Sequence, residues 1–139
     1  MASFEVDRDN VHIVFDRINE YFSVGARKPF FDPTTRKWDL EEGLKFFGNG
    51  LTGEAGEVSD EIKKMMRGSY DPEGPENPEF LSKLKYEIAD VAIYLRHLTQ
   101  LLAEATGIYE DETDFMISKA KVCIERWPEI FEGWDGLPF

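Results

Sequence analysis

The chain has 139 residues and a formal charge of -12, from 28 acidic against 16 basic side chains. That length suits one domain spanning 1–139, and a 42% hydrophobic composition supplies a core for it. The acidic excess argues against a DNA or RNA polymer as partner, because polyanion binding relies on basic side chains that neutralise phosphates.

A single cysteine, Cys123, offers no disulfide framework and no zinc cluster, and His12 and His97 show no ligand spacing. The first residues lack the basic and apolar regions of a secretory signal, and no run reaches the roughly 18 apolar residues of a membrane span. The expectation is a cytoplasmic protein with no membrane partner.

Four helices are expected, and no segment alternates with the period of a strand. Val11, Val14, Phe15, Ile18, Tyr21 and Phe22 share one face of a first helix over about Asp9 to Phe22. A turn-rich stretch, Ser23 to Lys37, holds Gly25, Pro29 and Pro33. Asp39 reads as the N-cap of a second helix, with Glu42 in capping-box position. Its stripe of Leu40, Leu44, Phe47, Leu51, Val58, Ile62 and Met65 runs on to Gly68. Gly43, Gly48, Gly50, Gly53 and Gly56 crowd this helix, although each glycine costs about 1 kcal/mol against alanine in a helix interior. They imply either close approach of a backbone or ligand, or a local break.

Gly68 to Asn77 is a loop. Asn77 then caps a third helix, with Pro78 in its first position. Leu81, Leu84, Ile88, Val91, Leu95, Leu98 and Leu102 repeat at near-heptad spacing until Gly107. With Ile93, Tyr94 and Leu101 on other faces, this helix is expected to be central and packed on several sides. A fourth begins near Asp111, has Asp114 in its first turn, and ends at Pro128. The tail from Glu129 to Phe139 carries no assignment. The fold class is all-α.

Two carboxylate pairs stand out. Glu54 and Glu57 are three residues apart on the second helix, and Glu87 and Asp90 repeat that spacing on the third. An acidic pair of this kind is usually a solvated face. Here Gly53 and Gly56 open space beside the first pair, and Ile88, Ala89, Val91 and Ala92 surround the second, where an uncompensated charge is costly. If the helices lie antiparallel, both pairs point into one space and supply the oxygen ligands that magnesium prefers. From the residues alone, the solvated face and the metal site stand about level.

With its two halves reading Glu54-Ala-Gly-Glu57 and Glu87-Ile-Ala-Asp90, the chain resembles the MazG-like, all-α nucleoside triphosphate pyrophosphohydrolases, which include dimeric dUTPases and dCTP pyrophosphatases. Their signature is E-x-x-E followed after a gap by E-x-x-D. The flanking runs Gly50 to Val58 and Glu87 to Leu95 look like the family's two metal helices, and Ser118-Lys119 with Arg126-Trp127-Pro128 looks like its basic fourth helix. The resemblance spans about Trp38 to Pro128.

It implies a four-helix bundle completed by oligomerisation as a homodimer or homotetramer. It also implies Mg2+ (or Mn2+ in its place) held by Glu54, Glu57, Glu87 and Asp90, and hydrolysis of a (d)NTP to (d)NMP and pyrophosphate. Glu54 and Glu57 are the candidate catalytic groups, with Glu54 the first choice as proton acceptor. Lys119 and Arg126 are expected to steady the polyphosphate. Lys64 is a further candidate, with Lys63 and Arg67 as alternatives to it. Trp38 either stacks on a base or staples the second helix, and Tyr94 is a candidate pocket residue.

Three features depart from the family pattern. Gly53 stands where many members have an additional glutamate. The 29 residues between Glu57 and Glu87 slightly exceed the usual gap. Cys123 replaces a frequent asparagine, and reads here as a small core residue.

Rival motifs fare worse. Gly48 to Gly53 matches G-x-G-x-x-G, but the preceding residues read as helix rather than strand. A di-iron bundle needs Glu-x-x-His pairs, and neither histidine has one. Two other functions remain in view: a phage-type nucleotide-pool enzyme selective for one dNTP such as dGTP or dCTP, and a non-catalytic acidic helical interaction module.

Overall fold

The computed structural model describes residues 5–24, 31–32, 34–35 and 37–136. Helices dominate: α1 (Val11–Val24), α2 (Leu40–Met66), α3 (Pro78–Thr106) and α4 (Glu112–Arg126). Short 3-10 turns occur at Gly74–Glu76 and Pro128–Phe131. A ladder too short for any alternation to register lies between α1 and α2. Its strands, β1 (Phe31–Asp32) and β2 (Lys37–Trp38), pair antiparallel, with Phe31 opposite Trp38. Gly25, Pro29, Pro33 and the last residues, 137–139, lie outside the described residues, as do the side chains of His12, Phe22 and Trp38.

The helix ends follow local chemistry. Asp39 accepts the Glu42 N–H at 2.9 Å and starts α2. Asn77 Oδ1 accepts the N–H groups of Glu79 and Phe80 and starts α3, with Pro78 in the first turn. Gly107 ends α3 at a φ of 72°, a left-handed conformation that favours glycine. At α4, Asp111 and Asp114 form a reciprocal capping box, at 2.9 and 3.0 Å.

The main packing is between α2 and α3. Gly43 meets Leu101 and Gly50 meets Tyr94, so one chain rises as the other falls and the two helices form an antiparallel hairpin. At 27 and 29 residues they extend about 40 Å each. Phe47 and Leu101, both 1% exposed, anchor the core at the end of the hairpin away from its connection. Phe46, Tyr94 and Leu98 pack around them, and His97, itself buried, stacks on Phe47 at 4.9 Å.

Two of the glycines in α2 serve close approach rather than a break, because the helix is continuous. A Cβ on Gly43 would press against Leu101, and one on Gly50 would enter the Tyr94 ring. A Cβ on Gly48, Gly53 or Gly56 would meet nothing within 4 Å, so packing in this chain does not require glycine there.

The expectation that α3 is packed on several sides is met in part, since α2, α4 and the 3-10 turn at Gly74–Glu76 all touch it. Leu81, Ile88, Leu95 and Leu102, each seven residues after the last, are all more than 40% exposed, because α2 covers only one face of the helix. α4 touches α3 lightly. Arg96 Nε lies 3.0 Å from Glu112 Oε1 but is not aimed well enough for a hydrogen bond, so that contact is a Coulombic one. Cys123 is half-buried in α4 rather than in the core. No helix among the described residues is long and apolar enough to cross a membrane.

Candidate metal centre

Helical spacing and antiparallel pairing bring carboxylates from both helices together midway along the hairpin. Oxygen atoms of Glu54, Glu87 and Asp90 all lie within 4.8 Å of one another, and the three side chains are half-buried. Glu57, the fourth expected ligand, is exposed and stands outside this trio. Its charge still bears on the site. Burial raises the pKa of Glu54, and Asp90, Glu57 and Glu87 raise it further by repulsion. Burial also raises the pKa of Glu87, and Glu57, Asp90 and Glu61 add to that, against a smaller lowering by Lys64. Like charges gathered on a half-buried surface disfavour their own ionisation, and a hard divalent cation offsets both penalties. An all-oxygen donor set of this kind fits magnesium or manganese rather than a soft metal.

Tyr94 borders the carboxylates. Its phenol is raised by burial and then by Glu54 and Asp90, and its ring packs edge-on to Phe47 at 6.1 Å. The position of Tyr94 depends on Gly50, which clears the α2 backbone for the ring.

Toward the α2–α3 connection sits Glu61, 5% exposed and outside the E-x-x-E motif. Glu61 Oε2 accepts the Tyr70 hydroxyl at 2.7 Å, and Oε1 takes Lys64 Nζ at 2.8 Å. These bonds, Lys64 first and Tyr70 second, lower the Glu61 pKa against its burial. Its signal in the sequence is an offset of seven from Glu54, with a lysine three residues further on. Tyr70 packs on Phe80 at 5.3 Å, which ties the connection to the first turn of α3.

Of the expected substrate residues, the structure brings Tyr94 and Lys64 to the carboxylates. Lys119 and Arg126 are exposed on α4 and are not among the charges that act on Glu54 or Glu87. The Arg126 guanidinium rests 5.6 Å from the ring of its neighbour Trp127. The Trp38 backbone is paired in β2, while its side chain lies outside what is described.

Fold and site together define an all-α protein with a carboxylate cluster between two antiparallel helices. The chain belongs to the same family as the Gene 37 protein of Mycobacterium phage L5. The two are 31% identical over 83 residues, which make up 60% of this chain and 70% of the phage protein. No family profile matches the chain, and no solved structure matches it.

Proposed function

We propose that the protein is a magnesium-dependent nucleoside triphosphate pyrophosphohydrolase, converting a (d)NTP and water to (d)NMP and pyrophosphate. The convergence of Glu54, Glu87 and Asp90 from two helices carries this reading, because three mutually repelling oxygen donors favour a divalent cation over an empty space. The resemblance of Glu54-x-x-Glu57 and Glu87-x-x-Asp90 to the MazG-like signature supports the same conclusion.

Glu54, Glu87 and Asp90 would hold the metal, and Glu57 would join them by a rotation of its exposed side chain. When bound, the ion supplies Lewis-acid stabilisation of phosphate charge and lowers the pKa of a bound water. In the reaction, the oxygen of water bonds to the α-phosphorus and the bond to the bridging oxygen breaks. Pyrophosphate leaves with that oxygen and its electron pair. Glu54, the first glutamate of the E-x-x-E pair, is our first choice as the group that accepts the water's proton.

Association of copies belongs to the same proposal. The exposed heptad stripe of α3 supports it, since such a face is normally covered. A second copy would also offer its own α4, with Lys119 and Arg126, to a site that α4 of the same chain does not serve. A narrower form of the same reading is an enzyme that shapes a deoxynucleotide pool by acting on one dNTP such as dGTP or dCTP.

Pyrophosphate release from a panel of nucleotides, with magnesium or manganese, tests the proposal on wild type, Asp90→Asn and Glu57→Ala. Metal-dependent release that is lost in Asp90→Asn and reduced in Glu57→Ala is expected. Absence of turnover on every nucleotide, together with no metal-dependent thermal shift, overturns the reading and leaves an acidic interaction module.

A further inference from the structure

The acidic face of the hairpin ends in two lysines. Along α2, Glu54, Glu57, Glu61 and Lys64 follow at offsets of three, seven and ten from the first, which keeps them on one helix face. Along α3, Lys83, Glu87, Asp90 and Tyr94 do the same in the opposite direction. From Tyr94 toward the connection, the sequence of groups is therefore a phenol, then the carboxylates, then Glu61 with two amines.

Lys64 is held in place before any ligand arrives. Its Nζ lies 2.8 Å from the Glu61 carboxylate, which is itself fixed by the Tyr70 hydroxyl at 2.7 Å. Lys83 Nζ stands 5.8 Å from the centroid of the Tyr70 ring and 3.1 Å from Glu79. Both lysines are about half exposed, so their ammonium groups are open to solvent and to a ligand. An ammonium has three donors, and the bond to Glu61 consumes one of those on Lys64. A pinned lysine also gives up less rotamer freedom on binding than a free one.

We propose that Lys64, positioned by Glu61 and joined by Lys83, receives the terminal phosphates of the triphosphate. The substrate then lies along the hairpin with its pyrophosphate end toward the α2–α3 connection and the rest of the nucleotide toward Tyr94. This inference rests on the reading of the carboxylates as a metal centre. Charge gives the direction: the terminal phosphates carry most of the substrate's negative charge, and Lys64 and Lys83 stand at the connection end of the track, beside Glu61 and Tyr70. Glu61 acts through Lys64 and is a positioning residue.

The two products report on the two ends of the track separately. Inhibition by pyrophosphate and by the nucleoside monophosphate is measured for wild type, Lys64→Ala, Lys64→Arg, Lys83→Ala and Glu61→Gln, with circular dichroism as the check on folding. Lys64→Ala is expected to weaken pyrophosphate inhibition by about tenfold or more, the usual worth of a charged hydrogen bond, and to leave monophosphate inhibition unchanged. Lys64→Arg restores most of the loss, and Lys83→Ala and Glu61→Gln show the same split to a lesser degree. Unchanged pyrophosphate inhibition, or weakened monophosphate inhibition instead, overturns the proposal.

Calorimetric binding of tripolyphosphate with manganese, which needs no turnover, separates this inference from the enzymatic reading. Binding by wild type that is lost in Lys64→Ala supports the lysine site even where no nucleotide is hydrolysed. No binding by wild type overturns it.

Discussion

Glu54 and Glu61 sit seven residues apart on one face of α2, and the hairpin treats them in opposite ways. Glu61 is nearly sealed from solvent, yet each of its oxygens has a donor, and its pKa falls. Glu54 is less buried but faces Glu57, Glu87 and Asp90, and its pKa rises. Burial alone therefore does not mark a functional carboxylate. What separates the two is whether the protein itself supplies the countercharge. At Glu61 the charge is met by Lys64 and a phenol. At Glu54 no cation among the described residues lowers the pKa, and the divalent cation we propose would supply that countercharge.

The largest effect that tests this contrast is on turnover. Glu54→Gln or Asp90→Asn should each lower kcat/KM by roughly a hundredfold or more, since loss of even an outer-shell partner of a metal ligand costs about 10–100-fold. Glu61→Gln should cost less and should act mainly on KM, because the amide still accepts from Tyr70 and only the grip on Lys64 is weakened. Steady-state pyrophosphate release by the three variants measures the difference. Equal losses in all three would erase the distinction between a cation-binding carboxylate and a structural one.

Thermal stability gives the next effect. Manganese at a hundred times its Kd should stabilise the wild type by about 2.7 kcal/mol, which for a chain of this size raises Tm by about 9 °C. Glu61→Gln should retain most of that shift, while Glu54→Gln should lose it. Differential scanning fluorimetry with and without the metal distinguishes them.

A smaller effect, in the opposite direction, appears without metal. Glu54→Gln removes a charge from a repelling cluster, so it should raise the Tm of the metal-free protein at neutral pH. Glu61→Gln should lower it, because Lys64 loses its charged partner. A destabilised, metal-free Glu54→Gln variant would show that the cluster is already balanced by charges within the chain.

Much of this contrast was legible in the sequence, though unevenly. Helix spacing and capping residues placed Glu54, Glu57, Glu87 and Asp90 on facing helices, since a period of 3.6 and the caps Asp39 and Asn77 are local properties. That Glu57 turns outward while the other three converge depends on the relative rotation of α2 and α3, which is set by packing around Phe47 and Leu101. The glycines of α2 announced a close approach, but only the structure shows that Gly50 yields to Tyr94 while Gly53 and Gly56 face open space. Glu61 was obscured because its partner Tyr70 lies nine residues away, beyond the end of the helix. The placement of α4 was the least legible. Lys119 and Arg126 read as site residues by resemblance, yet both are exposed on α4, which touches α3 lightly with Glu112 beside Arg96.

The smallest effect is the pH dependence of stability, and its sign separates the two carboxylate environments. Glu54 and Glu87 have folded-state pKa values raised above the ordinary 4.5, so the folded, metal-free protein holds their protons more tightly than the unfolded chain does. Their contribution to stability is fully present below the ordinary value and is lost as pH rises through the folded values. Glu61 is lowered from the same 4.5, so its contribution is present above that value and is lost as pH falls through its folded pKa. The two contributions oppose each other in the wild type, and substitution separates them. Metal-free Glu61→Gln should lose stability as pH rises from the glutamate range toward neutrality. Metal-free Glu54→Gln should show a weaker loss over that range and retain the acid-side loss from Glu61. Saturating magnesium should reverse the slope of the Glu61→Gln variant, because bound cation lowers the pKa values of the same carboxylates and makes their ionisation stabilising. Denaturant titrations across that range, with and without magnesium, measure the slopes. A slope that magnesium leaves unchanged would mean that Glu54 and Glu87 are neutralised by the protein itself, as Glu61 is.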